Sequence, residues 1–117
     1  MWTNFLWIGI GGAGGSMLRY LLQRAWNGSF PFGTTLVNLA GCMLIGLFWG
    51  WLQGEEDETG RLLLMTGFCG GFTTFSAFTL ESIQLLQQSR WAAWMAYAGF
   101  NIVGGLALTF LGMKISS

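Results

Sequence analysis

The chain has 117 residues, 53% of them hydrophobic and only 9% charged, with a formal net charge of zero. A soluble domain carries about a quarter charged residues, so this composition excludes a water-covered globule, and five scattered basic residues predict no nucleic-acid partner. There is no histidine, no nucleophile–base pair and no phosphate-cradling loop, which argues against an enzyme.

Uncharged stretches cover residues 1–18, 25–54, 62–80 and 91–113. A transmembrane helix needs about 20 mainly apolar residues. Four spans are therefore expected, at about 4–23, 33–53, 61–88 and 91–114, in a single membrane domain over 1–117. The first has no basic residue ahead of it and runs into Gly-rich sequence, so it reads as a retained span rather than a cleaved signal. Asn27-Gly28-Ser29 predicts a turn, and Pro31 opens the next element. The same triplet fits the N-glycosylation pattern, which the turn explains without further assumption. Glu55-Glu56-Asp57-Glu58 predicts a solvated loop. Span 3 carries Gly70-Gly71-Phe72-Thr73-Thr74-Phe75-Ser76-Ala77-Phe78, and its paired glycines predict a broken or kinked helix. Cys42 and Cys69 fall mid-span and read as free, small apolar fillers.

Glycines recur at four-residue spacing: Gly11 and Gly15, Gly46 and Gly50, Gly67 and Gly71. In lipid such faces let helix backbones approach closely. Four spans are few to enclose a pathway, so a homo-oligomer is expected. Basic residues mark orientation, yet Arg61 and Lys114 on one side balance Arg24 and Arg90 on the other, with Arg19 near the end of span 1. A chain without bias can insert both ways, and two opposite copies can pair about an axis in the membrane plane.

Apart from the end residues Arg61 and Lys114, charge inside the spans is confined to Glu81 and Arg19. A proton-coupled exporter of the small multidrug type needs a titratable group near mid-membrane. Span 1 has none, so a passive channel is the leading reading and that exporter the alternative. The most telling uncharged polar residues are Asn38 after Thr34 and Thr35, Asn101 four residues after Tyr97, and Thr73, Thr74, Ser76 and Thr79. A line of neutral donors suits a dehydrating anion. Equally, Asn38 and Asn101 suit hydrogen bonding across helices, worth ~1 kcal/mol. Phe75 and Phe78 share one helix face, and their ring edges are positive; composition alone makes them packing. Carbonyls freed at Gly70 and Gly71 suit a cation, or accompany a simple kink.

The nine residues from Gly70 to Phe78, with Gly67 before and Glu81 after, closely resemble the third-span motif of the Fluc (CrcB) family of fluoride channels. The likeness extends to the Gly-rich first span ending in Arg19, to Pro31-Phe32-Gly33-Thr34 through Val37-Asn38-Leu39, and to Tyr97-Ala98-Gly99, and so covers essentially the whole chain. The resemblance implies an all-α membrane protein of four transmembrane helices, the third broken near its middle. It implies an antiparallel dual-topology homodimer with two fluoride pores, exporting cytoplasmic fluoride across the bacterial inner membrane and surrounded by lipid. Phe75 and Phe78 resemble the paired pore phenylalanines, Asn38 the pore asparagine, and Tyr97 part of the polar track, with Thr34 and Thr74 further along the path. Gly70 and Thr73 resemble the residues whose backbone carbonyls hold a central, structural Na⁺ shared by both subunits. Arg19 resembles the basic residue near the aqueous vestibule. The chain departs from the family at Ala77, Asn101 and Gly105, where relatives often carry hydroxyls.

Overall fold

A computed structural model describes residues 1–117 as helices joined by short turns. There are four helical rods, α1 (Trp2–Trp26), α2 (Phe32–Trp51), α3 (Glu55–Gln87) and α4 (Trp91–Ser116). They form a body of 50 × 29 × 21 Å. Rods α2, α3 and α4 are long and apolar enough to cross a membrane. The 25 residues of α1 have the length, about 37 Å, but five glycines with Thr3, Asn4 and Arg19 keep it less apolar. Exposed tryptophans cluster at the rod ends, with Trp2, Trp49 and Trp51 toward one and Trp26 and Trp91 toward the other, as in an interfacial aromatic belt.

The rods pack through glycine. A side chain at Gly11 or Gly15 of α1 would strike the backbone of Leu63, Phe68 or Phe72 in α3, and one at Gly71 would strike Gly12. Gly46 of α2 and Gly112 of α4 meet in the same way. Backbone contact of this kind replaces the hydrophobic drive that lipid cannot supply.

Two expectations change. The acidic quartet is not a loop: Glu55–Asp57 is a 3₁₀ turn and Glu58 begins α-helix. Carboxylates there complement the positive end of α3, the Gly54 N–H donates to Asp57 (3.1 Å), and Arg61 donates to the Leu52 and Gly54 carbonyls (2.8 and 2.7 Å). The rods also run slightly past the expected bounds at most ends.

Arg61–Cys69 and Phe100–Gly104 are wound as π-helix, a geometry that in short form often accompanies functional sites. The first is separated from the interruption of α3 only by the α-helical turn Gly70–Phe72, and the second holds Asn101. At the far end of α3, Ser89 sits at φ 56°, where its N–H bonds to Leu86 and that of Arg90 to Leu85, both at 3.0 Å. This is a Schellman turn. Arg90 also donates to the Ser29 carbonyl, tying the α1–α2 and α3–α4 turns together.

Candidate functional site

The interruption of α3 falls at Thr73 (φ −83°, ψ 156°) and Thr74 (φ −148°, ψ 113°). The paired glycines do not break the helix, since Gly70 stays helical at φ −61°, ψ −39°. Extended backbone suits β-branched threonine, and Thr74 then caps the restarted helix by accepting the Ala77 N–H (3.1 Å). Gly71 is needed for close approach to α1.

Two extended residues cut the i→i−4 ladder, and the released groups find specific partners. The Thr74 N–H, which an unbroken helix would send to Gly70 O, donates instead to Asn38 Oδ1 (2.8 Å). Asn38 Nδ2 donates back to Thr74 O (3.2 Å) and to Asn101 Oδ1 (2.8 Å), so both its hydrogens are used. Asn101 Nδ2 donates one hydrogen to Tyr97 O (2.9 Å). Arg19 Nε (3.0 Å) and Ser16 Oγ (3.5 Å) donate to Gly71 O. The Gly70 and Thr73 carbonyls lose their helical donors, because the N–H groups of Thr74 and Ala77 have gone elsewhere.

Beside the break lies an open cleft of about 390 Å³, bordered by Gly70, Thr73, Thr74, Asn38, Asn101, Phe75 and Phe78. Phe75 is 77% exposed on this face. Its ring centroid is 5.9 Å from that of Phe78, with the planes tilted by 39°.

A second polar cluster sits behind Phe78, whose ring is 5.2 Å from Tyr97. Its centre is Glu81. One carboxylate oxygen accepts from the Tyr97 hydroxyl (2.9 Å), the other from Asn27 Nδ2 (2.9 Å) and Thr34 Oγ1 (3.1 Å). Thr34 also accepts from Gln23 Nε2 (2.9 Å), and its N–H donates to Asn27 Oδ1 (3.0 Å). Arg19 Nη1 donates to Gln23 Oε1 (3.2 Å), closing a path from Glu81 to the break. Thr34 and Tyr97 are fully buried. All three donors to Glu81 are neutral, so the carboxylate is held by hydrogen bonds rather than by an ion pair.

The residues singled out from sequence thus fall into two groups. Asn38, Thr74, Phe75, Phe78, Gly70 and Thr73 border the cleft. Thr34 and Tyr97 belong to the buried network, and Arg19 reaches both the network and the break. Sequence reasoning assigned no role to Gln23, read Asn27 only as a turn residue and left Glu81 without a partner. A signal was present: Ser16, Arg19, Gln23 and Asn27 recur at three- and four-residue spacing, a polar stripe along one face of α1.

The CrcB-like protein, Camphor Resistance (CrcB) family model matches residues 6–113. The chain is 46% identical over 112 residues to the "Fluoride-specific ion channel FluC" of Nitratidesulfovibrio vulgaris (strain DSM 19637 / Miyazaki F), across 91% of this chain and 90% of that one. It is 40% identical over 126 residues to the protein of the same name from Nitrosococcus oceani, covering 99% of this chain and 98% of the relative. The counterpart in Flavobacterium psychrophilum is 42% identical over 119 residues, covering 97% and 96%. A family match and relatives of this identity along nearly the full length agree with the helical rods and their apolar surface: the chain belongs to the CrcB family.

Proposed function

We propose that this protein is a passive, fluoride-selective channel that lets cytoplasmic fluoride leave the cell across the bacterial inner membrane. The observation that carries the reading is the run of relatives named as fluoride-specific ion channels, 40–46% identical over almost the whole chain. Four spans per chain and an antiparallel dual-topology homodimer with two pores complete it. Support for pairing comes from the cleft, open on one side and flanked by an exposed Phe75 ring.

The chemistry follows from what the cleft leaves unspent. Phe75 and Phe78 offer ring edges, whose hydrogens are positive. Asn38 has no spare hydrogen while it clamps Thr74, so the free amide donor on this wall is the second N–H of Asn101. Neutral donors and ring edges replace a small anion's water without binding it too tightly to leave. Thr74 borders the same path, while Thr34 and Tyr97 support it from behind through Glu81. Glu81, the one acid that a proton-coupled exporter would use, is already engaged at both oxygens by three donors.

The Gly70 and Thr73 carbonyls fit a Na⁺ shared between two copies, being hard oxygen donors released from the helical ladder at the edge of the cleft. When bound, Na⁺ would supply a fixed positive charge that neutralises these carbonyl dipoles away from water.

Purified protein in fluoride-loaded liposomes is expected to release fluoride once valinomycin shorts a K⁺ gradient, with no proton or drug gradient imposed. Folded protein that passes no fluoride overturns the reading.

A further inference from the structure

We infer that Arg19 is a positioning residue for the break in α3, fastening the Gly71 carbonyl to α1 so that the neighbouring Thr73 carbonyl keeps its direction at the cleft. At the break the Gly71 carbonyl and the Thr74 N–H have left the helical ladder, while the Thr73 N–H between them still reaches Cys69 O (3.0 Å). A peptide unit is planar, so fixing either its N–H or its C=O fixes the whole unit. Asn38 grips the 73–74 unit through the Thr74 N–H (2.8 Å). Arg19 grips the 71–72 unit through Gly71 O (3.0 Å), with Ser16 as a weaker second donor at 3.5 Å. One clamp comes from α2 and the other from α1, with a single peptide link between them. The 72–73 unit between them hangs on one bond, Thr73 N–H to Cys69 O (3.0 Å), so releasing a clamp loads that bond and lets the torsion on the released side drift.

The residue type matters. Arg19 uses two edges of its guanidinium, Nε on Gly71 and Nη1 on Gln23 Oε1 (3.2 Å), so its plane is set at two points. Gln23 is held in turn by Thr34, and Thr34 by Glu81. The buried network thus aims the arginine that aims the break. A bare carbonyl in lipid costs several kcal/mol, and a charged donor gives a hydrogen bond roughly twice as strong as a neutral one.

This inference rests on the cation reading of Gly70 and Thr73, and the experiment separates the two. Fluoride flux is measured against Na⁺ concentration for wild type, Arg19→Met, Arg19→Lys and Gln23→Leu, with amide exchange followed over residues 73–77 in the same samples. Arg19→Met is expected to raise the half-saturating Na⁺ about tenfold, the worth of one charged hydrogen bond, and to speed exchange at 74 and 77. Arg19→Lys, which keeps a charged donor, recovers most of this, and Gln23→Leu shifts it about twofold. A role limited to attracting anions predicts lower flux in Arg19→Met with unchanged Na⁺ dependence and unchanged exchange; that result overturns the inference. Should Arg19→Met fail to fold, Arg19→Lys and Gln23→Leu decide, and wild-type values for both overturn it. If wild-type flux ignores Na⁺, the cation reading falls. The clamp is then judged by exchange alone: faster in the variants upholds it, unchanged removes it.

Discussion

The cleft at the break and the network around Glu81 are one ring contact apart, across Phe78 and Tyr97, yet they treat polar groups in opposite ways. In the network both carboxylate oxygens are taken, and Thr34 and Tyr97 are sealed from solvent. At the cleft two carbonyls and one amide hydrogen have lost or lack a helical or side-chain partner, and a phenylalanine stands exposed. Polar groups in lipid must be satisfied within the protein or by whatever lines a cavity. The saturated region therefore reads as the frame that sets helix positions. The unsaturated one reads as the surface that a second copy, a cation or a passing anion completes.

The sharpest way to break this contrast is Glu81→Leu. It strands the Asn27, Thr34 and Tyr97 donors together, and buried donors left unpaired cost about 1–3 kcal/mol each. A loss of about 3 kcal/mol or more is expected in detergent unfolding, with flux falling mainly as folded protein is lost and the Na⁺ dependence of the folded remainder shifting about twofold, as for Gln23→Leu. An unchanged melting curve would mean that the network holds nothing. Phe75→Ile should show the reverse pattern. An exposed side chain contributes within about 0.5 kcal/mol to the chain's own stability, but losing the ring edge is expected to lower fluoride flux about tenfold, near 1.4 kcal/mol of barrier. Wild-type flux in both Phe75→Ile and Phe78→Ile would remove the rings from the pathway.

Asn101→Ala tests the border between the regions, because Asn101 stands behind Asn38 and also borders the cleft. Stability should fall by about 1 kcal/mol, the usual worth of an interhelical side-chain bond in lipid. Flux should fall several-fold if its second N–H serves the ion. A stability loss without a flux change would assign Asn101 wholly to the frame.

How much of this could be read from the chain depended on which groups advertise themselves. Apolar runs and glycine spacing gave the rods and their close packing, because both are one-dimensional patterns. The segment holding the break was visible, but its position was not. Gly70 and Gly71 are weak helix formers, yet both stay helical, the missing side chain of Gly71 serves contact with α1, and the chain instead extends at Thr73 and Thr74, where Asn38 clamps Thr74. Glu55–Glu58 resembled a loop only because charge and helix start share a composition. The Glu81 network stayed hidden because its members lie up to 74 residues apart, from Gln23 to Tyr97, and no single rod carries more than part of it.

The smallest expected effects come from Gly41 and Thr73, and they ask whether the Thr73 side chain or its backbone serves the cleft. Gly41 lies three residues after Asn38 on the same face of α2, and a β-carbon there would overlap the Thr73 methyl, with Phe72 Cδ2 next at an ordinary 3.4 Å. Thr73→Ala removes that methyl and one hydrogen bond to Cys69 O, at about 1 kcal/mol or less, and keeps the carbonyl. Its Na⁺ dependence should stay within about twofold of wild type. Gly41→Ala alone should shift that dependence several-fold by displacing Thr73. The double variant should return close to Thr73→Ala, because the new methyl then occupies vacated space. Residues in contact couple by about 0.5–3 kcal/mol in such cycles. Additive shifts would show that Gly41 makes room for something other than the Thr73 side chain, and complete loss of Na⁺ dependence in Thr73→Ala would move the ligand from backbone to hydroxyl.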